Sequence, residues 1–258
     1  MKITVLAENT AVNNTLESEH GLSLYIETGS LRILFDMGQS DLFERNAKIL
    51  GIDLSSVDIA VLSHGHYDHG GGLQRFLEIN EKAPVFVSRH AFGDYFNGCE
   101  KYIGLDKDIK DSARLVFTDE EYNITEGLTL YSCNEKNKVY DFGSFGLNSY
   151  ENGIFLPDAF LHEQYLLIEE SEKRILISGC SHKGILNISE WFKPDALVGG
   201  FHFSKLALDE KLKHYADILS RYDTLFYTCH CTGVEQCEFM KAVLPRLSYI
   251  STGSVTVL

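Results

Sequence analysis

At 258 residues the chain is long enough for a substantial hydrophobic core, arranged as one large domain or two small ones. It carries 23 Lys and Arg against 37 Asp and Glu, a net charge of -14, which argues against a nucleic-acid surface but leaves room for a local basic pocket that binds an anion. No apolar run approaches membrane-spanning length, and Met1–Asn9 carries charge too early for a secretory signal, so a cytoplasmic protein with no membrane partner is expected.

Residues 3–7, 21–28 and 31–36 alternate or run apolar and read as three strands, the last two joined by a turn at Thr28-Gly29-Ser30. A helix is predicted over Asp41–Leu50, with Gly51 as its stop. Ile59–Leu62 is an apolar, partly β-branched run suited to a buried strand, and Leu73–Glu78 has apolar residues at helical spacing. Between them lies Ser63-His64-Gly65-His66-Tyr67-Asp68-His69-Gly70-Gly71-Gly72. That places metal-ligand types on a loop at a strand's carboxyl end, where α/β folds carry their chemistry. His64 and His66 are two apart on a nearly extended backbone and project to one side. Asp68 and His69 follow as the chain turns toward the helix. Imidazole and carboxylate suit zinc, iron or manganese, and two such ions about 3.5–4 Å apart can share a bridging hydroxide. A polar turn whose histidines merely cluster is the plain alternative, and the density of ligand types over residues 64–69 speaks against it.

Pro84–Ser88 reads as a strand, Ala91–Phe96 as a short helical stretch, and 114–118, 121–125 and 128–132 as strands. His90 is expected to be solvated. From Cys133 to Ala159 the chain is irregular and rich in Gly, Asn, Phe and Tyr. It reads either as a cover with Tyr140, Phe142, Phe145 and Tyr150 as stacking groups, or as an insertion whose aromatics pack it onto the body. A hairpin, Tyr165–Glu169 with Arg174–Ser178, leads to a helix ending near Phe192 and a strand at Asp195–Val198. An amphipathic helix over Ala207–Arg221, a strand at Thr224–Tyr227, a helix near Val234–Val243 and a terminal hairpin complete the chain. Gly179, Ser181, Lys183 and Gly184 open the first of these helices, where free N–H groups and the ammonium favour a phosphate or carboxylate. A simple Ser cap is the alternative. The six cysteines are unevenly spread and expected to be free thiols; Cys229-His230-Cys231 with Cys237 supplies three thiolates where a cluster usually takes four.

The stretch from His64 to His69 resembles the H-x-H-x-D-H signature of the metallo-β-lactamase superfamily. With Gly179-Cys180-Ser181-His182 it looks most like the branch that includes the dihydropterin-ribofuranosylaminobenzene phosphate synthases of methanopterin biosynthesis. The resemblance implies an α/β (α+β) fold, a four-layer αββα sandwich of two mixed sheets, as one domain over 1–258 with an irregular covering insertion near 133–160. Its implied metal ligands are His64, His66, Asp68, His69, Cys180 and His230. Here Cys180 stands where the superfamily generally has a bridging aspartate, and His230 matches its late histidine. Asp36 matches an aspartate that braces the histidine loop. Whether His162 or His182 completes the first metal site stays open. Ser181, His182, Lys183 and His202 are the expected substrate contacts, and Asp68 the catalytic group positioning the attacking hydroxide. The implied activity is a metal-dependent hydrolase or transferase acting on an anionic, phosphorylated small molecule. It would use one or two divalent ions, zinc foremost, with iron or manganese as alternatives. The thiols around His230 and Cys180 suggest the other class, a non-hydrolytic iron or thiol redox protein.

Overall fold

The computed structural model describes residues 1–258. The opening alternation builds an antiparallel meander of β1 (Lys2–Ala7), β2 (Ser23–Glu27) and β3 (Arg32–Phe35). Pairing then becomes parallel, which requires crossovers. The helix α1 (Leu42–Ile49) leads to β4 (Ile59–Val61), and α2 (Tyr67–Gly70) with α3 (Leu73–Ile79) leads to β5 (Val85–Ser88). Two short strands, β6 (Tyr95–Asn97) and β7 (Lys101–Tyr102), precede β8 (Leu115–Thr118), which joins β5 in parallel.

The second half runs through β9 (Glu121–Thr125), β10 (Leu128–Tyr131), β11 (Leu147–Glu151), β12 (Ile154–Pro157), β13 (Tyr165–Glu170) and β14 (Lys173–Ile177). It then alternates helix and strand: α4 (Ile185–Phe192), β15 (Ala196–Val198), α5 (Glu210–Leu219), β16 (Leu225–Thr228), α6 (Val234–Lys241) and β17 (Leu247–Tyr249), before β18 (Val255–Val257). One seven-stranded sheet has the order β18-β1-β2-β3-β4-β5-β8, and another has β17-β16-β15-β14-β13-β10-β9.

Side-chain alternation along the strands explains how these sheets are held. Ile33, Phe35, Ile59 and Val61 of the first sheet share a buried cluster with Leu166, Ile168, Ile175 and Ile177 of the second. Their neighbours Leu34, Ala60, Val85 and Val87 point the other way, onto Leu42, Phe43 and Phe76. Leu167, Leu176, Leu197 and Phe226 likewise meet Ile185, Leu186 and Leu212 on the second sheet's outer face. Each fully buried Leu, Ile or Phe contributes about 1.5–3 kcal/mol. A one-residue slip would exchange these faces, so the register is fixed by the apolar pattern. The result is an α/β fold with helices flanking mixed sheets. No helix is long and apolar enough to cross a membrane.

Five expectations require correction. A third sheet, ordered β12-β11-β6-β7, lies outside the two-sheet scheme. It takes in Tyr95 and Phe96, expected to be helical, because Phe96 pairs with both Tyr102 and Asn148. It also takes in 147–157, so the segment near 133–160 is partly a hairpin. The terminal hairpin does not form: β17 lies parallel to β16 in one sheet and β18 antiparallel to β1 in the other. Finally, α5 begins at Glu210, because the Asp209 carboxylate accepts from the N–H groups of Lys211 and Leu212 and starts the helix there.

Candidate metal centre

The parallel strands of both sheets deliver their carboxyl ends to one region. Asp36 follows β3, Ser63 and His64 follow β4, Cys180 follows β14, His202 follows β15 and His230 follows β16. The loops approach closely enough that a methyl group at Gly179 would collide with Ser63 Oγ. Glycine is required there to bring Cys180 beside the histidine loop.

A hydrogen-bond frame sets how the imidazoles point. Asp36 accepts from the Ser63 N–H at 2.7 Å and from Ser63 Oγ at 2.7 Å, and its Oδ2 lies 2.6 Å from His69 Nδ1. Ser63 Oγ, having given its one proton to Asp36, accepts from His64 Nδ1 at 2.7 Å. Likewise His230 Nδ1 donates to Asn9 Oδ1 at 2.7 Å, while its backbone N–H reaches Glu8 Oε1 at 2.6 Å. In His64 and His230 the proton is thus held on Nδ1 and the Nε2 lone pair faces the centre. Sequence reasoning gave no sign of Glu8 and Asn9, since a Glu-Asn pair after a strand is ordinary turn chemistry.

The Nε2 atoms of His64, His66 and His230 and both ring nitrogens of His182 are buried without a hydrogen-bond partner. Buried polar groups are normally paired, so this set of orphans fits a cation. Donors in this region form sets, each within 4.8 Å, of which the first two share His64: His64, His66 and His182; His64, His69 and Cys180; His20, Asp68 and His230. His162 is committed elsewhere. It accepts the Gly65 N–H at Nδ1, 3.0 Å away, and its Nε2 lies 3.1 Å from Asp158 Oδ2. Although His66, Asp158 and His162 also lie close together, His162 acts as a brace behind the loop, and His182 is the free imidazole beside His64 and His66.

Burial, then the neighbouring histidines, holds His64 and His182 well below the usual imidazole range. Burial and His162 lower His66 to about 3. Burial works to raise the Asp68 carboxyl, yet His69, His20 and His230 outweigh it and keep the group well below its usual range. Neutral imidazoles around an ionised carboxylate are the protonation states that bind a divalent cation. Because these three histidines are depressed in the folded protein, the unfolded chain binds more protons below about pH 6.5. Through these three groups metal-free protein is therefore expected to lose stability as the pH falls from 6.5 to 5, His66 alone accounting for roughly 2 kcal/mol. His69, which Asp36 and Asp68 raise against the effect of burial, adds its dependence only above that range. Urea unfolding of chelator-treated protein at pH 7 and pH 5 measures the difference, and equal midpoints would contradict it.

The remaining predicted contacts divide. His182 and His202 line the cleft over the centre, together with His20, Tyr67, Lys101 and Lys205. Ser181 and Lys183 do not, which corrects the anion site expected at 181–184. The anion there is the protein's own: Glu163 Oε1 accepts from the His182 N–H at 2.6 Å and Oε2 from the Lys183 N–H at 3.0 Å. Lys183 Nζ donates to Glu163 O at 3.0 Å, and Ser181 Oγ is paired with Ser178 Oγ. Of the aromatics proposed as stacking groups, only Phe145 reaches this region, 4.3 Å from the His202 ring. Phe142 packs on Tyr215, Tyr150 packs on Phe155, and Tyr140 is tied through its backbone to Asn187. Cys231 reaches the centre, but Cys229 and Cys237 are buried in separate apolar clusters, so the three thiols near His230 do not converge.

Residues 18–130 match the model of the metallo-beta-lactamase superfamily. A Methanocaldococcus jannaschii protein named "Uncharacterized protein MJ0448" is 34% identical over 242 residues, covering 90% of each chain. From the same organism, 7,8-dihydropterin-6-methyl-4-(beta-D-ribofuranosyl)-aminobenzene-5'-phosphate synthase is 33% identical over 262 residues, covering 90% of this chain and 88% of its own. The crystal structure of Tm1679, described as a metal-dependent hydrolase of the beta-lactamase superfamily, superposes with a TM-score of 0.85 at 30% identity. It covers 100% of this chain and 99% of that one. Zinc-bound PqqB from Methylobacterium extorquens has a TM-score of 0.60 at 12% identity over 100% of both chains, a likeness of fold alone. With the superfamily model matched over residues 18–130 and a solved member of that superfamily 30% identical over the whole chain, the chain belongs to the metallo-β-lactamase superfamily.

Proposed function

We propose that this protein is a metal-dependent hydrolase or transferase that cleaves a phosphate ester or diphosphate linkage in an anionic small molecule. The observation that carries the reading is the set of buried, unpartnered imidazole nitrogens from His64, His66, His182 and His230 around Asp68. In this reading His64, His66 and His182 hold one divalent ion, and His69, Asp68, Cys180 and His230 supply ligands for a second, with zinc as the metal. A bound ion would supply Lewis-acid polarisation of the attacked phosphoryl group and favour deprotonation of the attacking group.

The chain's own contribution is to bind and orient. Asp68 Oδ2 lies 3.2 Å from His20 Nε2 and 3.4 Å from His230 Nε2, so the carboxylate is ionised and aimed into the cleft. It can accept a hydrogen bond from the nucleophile at that oxygen and so orient it. Lys101 and Lys205 stand on the cleft wall, with Lys101 Nζ 3.2 Å from Tyr67 Oη. In an acidic protein these ammonium groups are placed to receive the substrate's phosphate, the role first assigned to Lys183. The relation to the dihydropterin synthase supports a pterin or another flat heterocycle as the remainder of the substrate, with Leu147 on the cleft wall and Phe145 behind it against His202.

Elemental analysis of protein purified without chelator, joined to turnover on a panel of phosphoesters and pterin diphosphates with and without an aromatic amine, tests the reading. Release of phosphate or diphosphate that stops on chelation and returns with zinc supports it. Amine-dependent product separates transfer from hydrolysis. Protein that carries stoichiometric metal but turns over none of the phosphorylated compounds would remove the substrate class. Lys101→Ala and Lys205→Ala should each weaken a phosphorylated ligand about fivefold, the modest effect expected of solvent-exposed charges, and leave metal content unchanged. Unchanged affinity in the double variant would show that the phosphate lies elsewhere.

A further inference from the structure

We propose that Cys180, His202 and Cys231 form a sulfur-rich metal-binding corner beside the histidine-rich one, built for a borderline or soft divalent cation. The inference rests on the metal dependence proposed above and is independent of the substrate class. It moves His202 from substrate contact to ligand and adds Cys231, which the superfamily signature does not include.

Three adjacent parallel strands aim at this corner. Cys180, His202 and Cys231 follow β14, β15 and β16, and their two Sγ atoms and one ring nitrogen lie within 4.8 Å of one another. Cys180 is 3% exposed and Cys231 is 6% exposed, and both border the cleft, so the thiols are sheltered yet reachable. His202 Nδ1 is buried without a partner. Its ring is held between Phe145, 4.3 Å away, and His182, 4.5 Å away.

The backbone is shaped around the same point. Ser181, His202 and His230 have φ of 58°, 57° and 48°, a left-handed conformation that costs a non-glycine residue free energy and that clusters at functional sites. Each is at a corner residue or directly beside one. The His202 N–H donates to Cys231 Sγ at 3.3 Å, an arrangement that steadies a thiolate. A methyl group at Gly200 would strike Cys231 Sγ, so that glycine keeps the room the sulfur needs.

Two thiols and an imidazole without a carboxylate favour zinc, cobalt or cadmium over magnesium or manganese. Cys180 also belongs to the set with His64 and His69. One sulfur therefore stands at the junction of the two corners. That accounts for a cysteine where a carboxylate would hold only hard-oxygen contacts: it can serve an ion on either side.

Cobalt(II) added to metal-free protein reports the sulfur ligands directly, because thiolate-to-cobalt charge transfer absorbs in the near ultraviolet and imidazole or carboxylate ligation does not. The expected result is a wild-type band that falls by about half in Cys231→Ser, by about half in Cys180→Ser and to nothing in the double variant. A Cys231→Ser band equal to wild type, or a wild-type protein that binds cobalt with no such band, overturns the proposal while leaving metal dependence standing. Failure of wild type to bind cobalt at all would overturn both. If Cys231→Ser does not fold, as judged by circular dichroism, iodoacetamide labelling of wild type decides. Protection of Cys231 by cobalt supports the corner, and equal labelling with and without cobalt overturns it.

Discussion

Replacing His66 with alanine is expected to abolish turnover and empty the histidine corner, leaving at most the metal held by the thiols, while the protein stays folded. The imidazole is 4% exposed, its Nε2 has no partner, and burial holds it neutral. It therefore contributes no hydrogen bond at that atom and carries a desolvation cost that the alanine variant relieves. The bonds that shape the loop are made by the backbone and survive: Tyr67 N–H to Ile103 O at 2.9 Å, and His69 and Gly70 N–H to His66 O at 3.1 and 3.0 Å. Asp68→Ala should behave similarly in metal content, but it also strips His20 of its carboxylate partner. Inductively coupled plasma analysis beside circular dichroism measures both properties. Full metal stoichiometry in a folded His66→Ala protein would remove the histidine corner from the site.

How far the sequence carried the reading can be seen residue by residue. The helix–strand alternation from β3 to β5 and from β14 to β17 was legible because apolar runs and glycine stops are local signals. The positions of Cys180, His202 and His230 at strand ends were legible for the same reason. What stayed hidden depended on contacts distant in sequence. Asn9 fixes the proton of His230 across 221 residues, and β18 leaves its neighbour β17 to pair with the amino-terminal strand. The pairing of Phe96 with Asn148 hides equally well, because Phe96 closes a stretch that reads as helical and Asn148 lies in one with no periodicity of its own. His162 and His182 illustrate the limit most clearly. Both are buried histidines after a strand or before one, and only the partners of their ring nitrogens tell the brace from the free donor.

Glu163→Ala should be the most destabilising single change near the centre, and the outcome distinguishes two readings of the segment after β14. In sequence, a lysine in the first turn of a helix suggested an external anion to offset the unfavourable dipole contact. In the structure Glu163 occupies that place. Its carboxylate is fully buried and takes the N–H groups of His182 and Lys183 and the hydroxyl of Tyr165, 2.5 Å away. Its own carbonyl takes Lys183 Nζ, whose pKa burial lowers to about 8 against the pull of Glu163. Alanine leaves two backbone donors and a phenol without their carboxylate, and a buried ammonium, still bonded to the carbonyl of residue 163, without the negative charge that offsets its burial. Removing one member of a buried charged set costs about 3–5 kcal/mol, and a chain of this size loses roughly 2–4 °C of melting temperature per kcal/mol. A fall on the order of 10 °C is expected, with weaker metal binding, because the turn that carries Cys180 and His182 loses its anchor. Lys183→Met in the same background should recover part of the loss, since it removes the stranded charge while keeping the apolar stem. Were Lys183 a substrate contact instead, Lys183→Ala would weaken phosphate binding and hardly move the melting temperature. Thermal melts of the three variants, read beside phosphate titrations, separate the cases, and an unshifted melt for Glu163→Ala would return Lys183 to the substrate.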